Sequence, residues 1–120
     1  MNLSQIIKTL VSEIKLTEIQ AKIFLHVVIN GKMNTSKISN DLKISLDDAT
    51  QNSKKLVELG GFIDMPNDEF EAMHPRFTAV NMYRKMCERE QKEFKKNLNV
   101  DNIGVALEVS YDDARTKYNK

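Results

Sequence analysis

The side chains best suited to contact another molecule lie together on residues 50–55. Thr50, Gln51 and Asn52 carry donors and acceptors that match the edges of nucleic-acid bases, and Gln or Asn amides can pair with adenine. Lys54 and Lys55 can neutralise phosphates, which position a protein without reading sequence. This combination predicts contact with double-stranded DNA.

Two acids just before these residues, Asp47 and Asp48, oppose that interpretation. Carboxylates near a helix N-terminus stabilise the helix dipole, which is the simplest role for them. They would repel phosphates, although an acid can accept a hydrogen bond from cytosine. They could also contact a basic protein partner, so the three roles remain open.

The segment that must position these side chains has a helix-turn-helix pattern. Apolar residues at helical spacing indicate a short helix over 35–42, a turn at Lys43-Ile44 and a second helix over 46–59. Thr35 and Ser45 are predicted N-caps, and Gly60-Gly61 ends the second helix. The predicted DNA contacts are Lys37, Lys43, Thr50, Gln51, Asn52, Lys54 and Lys55.

The elements on either side complete a larger pattern. Residues 2–15 read as an amphipathic helix, and a second helix, capped by Thr17 and ended by Asn30-Gly31, is apolar on most of its circumference. Two short stretches, 62–65 and 69–73, flank the turn-rich Pro66-Asn67-Asp68 and predict a β-hairpin. We therefore predict a mainly α (α+β) winged helix-turn-helix domain over residues 1–75, with a two-stranded wing.

Residues 76–98 are predicted to form one long helix, with Pro75 in its first turn. Its narrow apolar seam is either intramolecular core or, as we predict, a homodimer interface. The seam residues are Val80, Tyr83, Cys87, Phe94 and Leu98. Residues 99–120 are predicted to be a tail with a short helix beginning at Ser110, while the alternation from Ile103 to Val109 fits either a strand or a helix.

Composition places the chain among single-domain proteins with an ordinary core. The 120 residues are 41% hydrophobic and 29% charged, and the net charge is +1. No apolar run approaches the roughly 20 residues that cross a bilayer, and one cysteine excludes an internal disulfide, so a cytoplasmic protein without membrane partners is expected. Charge is uneven, because residues 62–75 carry four acids and no base, whereas residues 76–98 are basic.

Nothing in the sequence points to catalysis. There is no Gly-rich phosphate loop, no H-E-x-x-H motif and no nucleophile beside an identifiable base. His26 and His74 have no metal-ligand spacing with another His or Cys, so both are predicted to be structural. We expect neither an enzyme nor a bound cofactor or metal.

Three stretches resemble the opening of the TrmB-type archaeal transcriptional regulators. They are residues 16–31, beginning Leu16-Thr17-Glu18-Ile19; Lys37-Ile38-Ser39 together with residues 56–63; and a hydrophobic-x-x-x-Pro stretch over 70–75. The resemblance covers half the chain and implies a dimeric DNA-binding regulator whose second helix enters the major groove. That family often places Pro, Arg and an aromatic early in this helix, where this chain has Ser45, Leu46 and Thr50.

The expected function is a sequence-specific transcription regulator that binds double-stranded DNA as a homodimer. The alternative is a winged-helix protein–protein interaction module that does not bind DNA, which the acids at 47–48 and in the hairpin favour. Salt dependence discriminates between the two, because phosphate contacts release counterions.

Overall fold

The structure, a computed structural model, describes residues 1–118 and is mainly helical, with a small antiparallel sheet. The elements are α1 (Leu3–Ile14), α2 (Glu18–Asn30), β1 (Met33–Asn34), α3 (Thr35–Leu42), α4 (Leu46–Leu59), β2 (Ile63–Met65), β3 (Glu69–Glu71), α5 (Pro75–Arg89) and α6 (Leu98–Tyr118). The predicted α+β class is confirmed at this level. Among the described residues, no helix combines the length and apolar character needed to cross a membrane.

Local capping signals determine where several helices begin. Thr17 and Ser45 cap α2 and α4 as predicted, since each hydroxyl accepts a hydrogen bond from a backbone N–H of the first turn. The predicted cap of α3 is wrong by one residue. Asn34 is the N-cap, and Thr35 is the first, buried residue of the helix. Asn is a stronger N-cap than Thr, which explains the shift.

The hairpin belongs to a sheet of three strands in the order β1-β3-β2. Phe70 of β3 lies opposite Met33 of β1 on one side and Asp64 of β2 on the other. β1 was not predicted, because a two-residue strand leaves no period in the sequence. At the hairpin tip, Asn67 and Asp68 have φ values of 66° and 58°. Asn and Asp tolerate this left-handed backbone better than most residues.

A continuous hydrophobic core joins the N-terminal and C-terminal elements. Phe62 connects α2 to the sheet, with its ring centroid 6.1 Å from that of Phe24 and 6.0 Å from that of Phe70. The last two helices contribute buried residues to the same core. These are Ala79 and Met82 of α5 with Val100, Ile103 and Leu107 of α6.

The long helix predicted over 76–98 is shorter than expected. α5 ends at Arg89, where the chain turns through Gln91 with a φ of 55°. The amide N–H of Lys92 donates to the Cys87 carbonyl over 2.8 Å, and Phe94 folds back to a ring-centroid distance of 6.0 Å from Tyr83. α5 therefore ends in a left-handed turn closed by a backbone hydrogen bond, without a Gly or Pro, and the Phe94–Tyr83 contact holds the returning chain against the helix.

The tail prediction is also corrected. α6 begins at Leu98 and passes through Ser110, so its start lies 12 residues before the predicted cap. The Asn97 Oδ1 accepts hydrogen bonds from the Asn99 and Val100 amides at 3.0 and 3.3 Å, which caps α6. Glu13 of α1 accepts hydrogen bonds from the Asn97 and Asn99 side chains, which joins the two helices. Residues 119–120 of the tail lie outside the described part.

Candidate nucleic-acid interface

A tight turn fixes the angle between α3 and α4. Lys43 ends α3 in the left-handed conformation, with a φ of 57°. The Ile44 amide donates to the Ser39 carbonyl over 3.1 Å, and the Ser39 hydroxyl donates to the Ile44 carbonyl over 2.6 Å. These reciprocal hydrogen bonds hold the turn in place, so α4 has a defined orientation relative to α3.

α4 separates a buried face from an exposed one. Ala49, Ser53, Leu56 and Leu59 are buried and face the core. The remaining exposed side chains form a continuous outer surface that no described element covers. They are Leu46, Asp47, Asp48, Gln51, Lys54, Lys55 and Glu58.

The three predicted base-reading residues occupy different environments. Gln51 is exposed, and its Nε2 donates to the Asp47 carboxylate over 2.9 Å. Thr50 is half-buried. Asn52 is also half-buried, and its Nδ2 donates to the Asp48 carbonyl over 2.8 Å while its Oδ1 lies 3.5 Å from the Gln20 Nε2. Asn52 therefore connects α4 to α2 and lies outside the exposed surface.

Ion pairs engage two of the four predicted phosphate-binding lysines. The Lys55 Nζ is 3.2 Å from Glu58, and the Lys37 Nζ is 3.1 Å from Asp41. Exposed pairs of this kind are weak, so a phosphate can compete for either lysine. Lys43 and Lys54 are exposed and make no ion pair with another described residue.

Asp41 links α3 to α2. Its carboxylate receives hydrogen bonds from His26 at 2.8 Å and from Lys37 at 3.1 Å, and these bonds lower the pKa of Asp41. On α1, the hydrogen bonds from Asn99 and Asn97 lower the pKa of Glu13. Both carboxylates are therefore more acidic than in an unfolded chain.

We expect stability to fall as the pH drops below about 4.5, the ordinary pKa of glutamic acid. A carboxylate with a lowered native pKa stabilises the fold above its unfolded pKa, and this contribution disappears as the pH falls through the native value. Urea unfolding between pH 7 and pH 3 measures the effect. Glu13→Gln and Asp41→Asn should each reduce the difference in stability between these two pH values. An unchanged difference in both variants would contradict the assignment.

The charge on the α3–α4 surface is balanced. It has four lysines at 37, 43, 54 and 55 and four carboxylates at 41, 47, 48 and 58. On the hairpin, Asp64 and Asp68 are exposed, whereas Glu71 pairs with Arg115 of α6. A surface with balanced charge exerts little long-range attraction on a polyanion.

The predicted seam is divided among three parts of the chain. Val80 and Tyr83 of α5 pack against the core, and Cys87 is 1% exposed. Phe94 lies in the connection to α6, and Leu98 is the first residue of α6, with 66% of its surface exposed. The five residues do not form one stripe on one helix, because the helix ends at Arg89.

One cluster of potential metal ligands is visible in the structure and was not predicted from the sequence. His74, Glu108 and Asp112 each offer an atom within 4.8 Å of the others. His74 is more than 30 residues from the two acids, so ligand spacing gave no signal. The i, i+4 spacing of Glu108 and Asp112 does place them on one helix face. His26, in contrast, contacts only Asp41 among the acids of the described chain.

Comparisons with protein-family models, with curated proteins and with solved structures found no match. A role for the α3–α4 surface therefore depends on its own geometry and chemistry. The surface offers two features that a DNA duplex can use: an uncovered helix with polar side chains, and lysines on the turn and the helix.

Proposed function

We propose that this protein is a winged helix-turn-helix regulator of transcription that binds double-stranded DNA sequence-specifically as a homodimer. The observation that carries the proposal is the exposed face of α4. α4 follows α3 after a tight hydrogen-bonded turn, and the β2–β3 hairpin comes directly after it. In helix-turn-helix proteins the second helix enters the major groove, and its early residues contact base edges.

The exposed side chains suggest a division of roles along this surface. Gln51 would read a base edge once its amide leaves Asp47, and Thr50 is its neighbour in the chain. Lys54 and Lys55 on α4, with Lys43 at the turn and Lys37 on α3, would contact phosphates. The TrmB-type resemblance at residues 16–31 and 56–63 covers α2 and the end of α4, so it favours the winged helix-turn-helix class and not the individual contacts, since the early residues of α4 depart from that family's pattern.

A row of exposed apolar residues on α6 supports homodimer formation. Leu98, Val105 and Val109 lie at i, i+7 and i+11, which places them on one side of the helix. The buried residues Val100, Ile103 and Leu107 lie on the opposite side. A helix that is apolar on two opposite faces has a second surface to cover, and a copy of the chain would cover it symmetrically.

Capture of genomic DNA fragments at low and moderate salt, followed by sequencing, tests the proposal. We expect discrete sites with palindromic half-sites about one helical turn apart, because a two-fold symmetric dimer requires them. Retention should weaken steeply as salt increases, because phosphate contacts release counterions. Absence of retention at low salt, or diffuse retention without enriched sites, would contradict a sequence-specific regulator.

A second candidate function is protein–protein interaction without DNA. Leu46, 53% exposed at the start of α4, and the neighbouring Asp47 and Asp48 favour it, because an apolar residue beside two acids suits a basic protein partner. Under this reading, a partner would bind with a weaker salt dependence than DNA, and the DNA capture would return no enriched sites.

A further inference from the structure

His74, Glu108 and Asp112 lie close together where the chain leaves the sheet and meets α6. His74 is the N-cap of α5, three residues after β3, and the two acids lie one turn apart on α6. One potential ligand atom from each side chain lies within 4.8 Å of the others. His74 and Glu108 are half-buried, and Asp112 is exposed. The cluster therefore opens to solvent on one side.

We propose that these three side chains bind one divalent transition-metal ion of the Zn²⁺ type. An imidazole with two carboxylates is a mixed nitrogen and oxygen ligand set, which suits first-row transition metals better than Mg²⁺ or Ca²⁺. Three protein ligands leave the remaining coordination positions to water. The imidazole comes from a different element than the acids, which distinguishes this cluster from an acidic patch on one helix.

The charges around the cluster favour a dication. Arg76 donates from its Nε to the Glu108 Oε2 over 2.7 Å, which leaves the Oε1 of that carboxylate available. The Asp112 carboxylate has no ion pair or hydrogen bond with another described side chain. Two carboxylates against one guanidinium leave a net negative charge, which a divalent cation would neutralise.

The His74 ring packs against an aromatic side chain of α6. The ring lies 5.1 Å, centroid to centroid, from Tyr111, and the Arg115 guanidinium lies 3.8 Å from the same tyrosine ring. These contacts hold the imidazole against α6 before any metal binds. This packing reduces the side-chain entropy that the imidazole would lose on binding, which offsets part of the cost of breaking the hydrogen bond that it accepts from the Arg76 amide.

Metal binding would change one hydrogen bond at the start of α5. The His74 Nδ1 accepts a hydrogen bond from the Arg76 amide over 3.1 Å. A metal bound to Nδ1 would use the lone pair that accepts this hydrogen bond. A metal bound to Nε2 would require the ring proton to be on Nδ1, which could then no longer accept. Either mode removes the cap hydrogen bond, so the Arg76 amide reports directly on occupancy.

The consequence of binding is a direct tie between α6 and the chain that leaves the sheet. The segment between β3 and α5 contains only Ala72, Met73 and His74. A metal would join its last residue to α6 near Tyr111. Because the ion would bind the folded chain and not the dispersed ligands of an unfolded one, Zn²⁺ should raise the melting temperature.

Competition between the metal-free protein and a chromophoric chelator for Zn²⁺ tests the proposal, with any affinity tag removed. We expect one equivalent of Zn²⁺ to bind, and Asp112→Asn to weaken this binding roughly tenfold or more. Asp113→Asn is the matched control, because it removes the adjacent acid of the same helix, outside the cluster. His74→Gln should weaken binding as well, whereas His26→Gln should not.

Nuclear magnetic resonance spectra of the ¹⁵N-labelled protein supply a readout that tests the ligands directly. Zn²⁺ should shift the His74 ring and the Arg76 amide and leave the His26 ring unchanged. Equal loss of binding in Asp112→Asn and Asp113→Asn would overturn the proposal, and so would the absence of one-equivalent binding. Equal affinity for Mg²⁺ and Zn²⁺ would also overturn it, since Mg²⁺ does not require the imidazole. None of these outcomes depends on DNA binding.

Discussion

Arg115→Met is expected to lower the free energy of unfolding by about 2–4 kcal/mol. Arg115 of α6 pairs with Glu71 at the end of β3 and donates to the carbonyls of Val28 at 2.6 Å and Ala72 at 3.2 Å. Its guanidinium also lies over the Tyr111 ring. One side chain thus joins α6 to the end of α2 and to the central strand of the sheet. Methionine keeps most of the apolar stem but removes the guanidinium's hydrogen bonds to two carbonyls and to the Glu71 carboxylate, which keeps the Ala72 backbone N–H as a donor.

The size of this effect follows from partial burial. The Arg115 and Glu71 side chains are 18% and 25% exposed, so loss of one partner costs less than in a fully buried pair. The Arg115 Nε is buried without a hydrogen-bond partner in the described chain, which offsets part of the stabilisation. Arg115→Lys should recover only a fraction of the loss, because an ammonium cannot reproduce the fork of a guanidinium.

Urea unfolding at pH 7 measures the change, and Arg84→Met is the matched control. Arg84 pairs with Glu88 one turn further along α5, but both side chains are exposed, at 45% and 64%. Pairs of this type contribute about 0.3–0.5 kcal/mol. Equal losses in the two variants would show that Arg115 does not join the elements as described.

Replacing Lys54 and Lys55 together by glutamate is expected to abolish DNA retention at low salt without unfolding the chain. Both lysines lie on the exposed face of α4, where loss of two phosphate contacts and gain of two repulsive charges would reduce affinity by about 100-fold. The slope of log affinity against log salt concentration should also decrease by an amount that corresponds to about two phosphate contacts. Unchanged circular dichroism and urea midpoint would show that the fold is preserved.

Lys92→Glu with Lys95→Glu is the control for net charge. These lysines lie in the connection between α5 and α6 and are exposed, so the double variant changes the charge by the same amount without altering α4. We expect it to retain discrete DNA sites. Equal loss in both double variants would mean that retention depends on overall charge, and unchanged retention in Lys54→Glu/Lys55→Glu would exclude α4 as the contact surface.

The first half of the fold could be predicted from the sequence because its signals are local. Thr17 and Ser45 cap helices through bonds to residues three positions away, and Gly60 ends α4 with a φ of 92° that glycine adopts at little cost. The hairpin follows from the turn-forming residues Pro66-Asn67-Asp68 between two short stretches. Each of these features needs only its neighbours in the chain, so a pattern of residue types identifies it.

The C-terminal elements were harder to predict because contacts between distant residues decide them. α5 stops at Arg89, where Phe94 returns to Tyr83, and no residue type at that position indicates an end. The start of α6 did leave a signal, since Asn97 is a favourable N-cap, but the alternation that follows resembled a strand as much as a helix.

The candidate contact residues show the same difference, since some could be identified from the sequence and others only from the tertiary structure. The sequence by itself identified the lysines and amides of residues 50–55 as exposed-face candidates, because helical spacing separates them from the buried residues of α4. Only the tertiary structure shows that Asn52 contacts Gln20 and that His74 lies beside two acids of α6. Helical periodicity determines which face a side chain occupies, whereas packing between elements determines which distant side chains it meets.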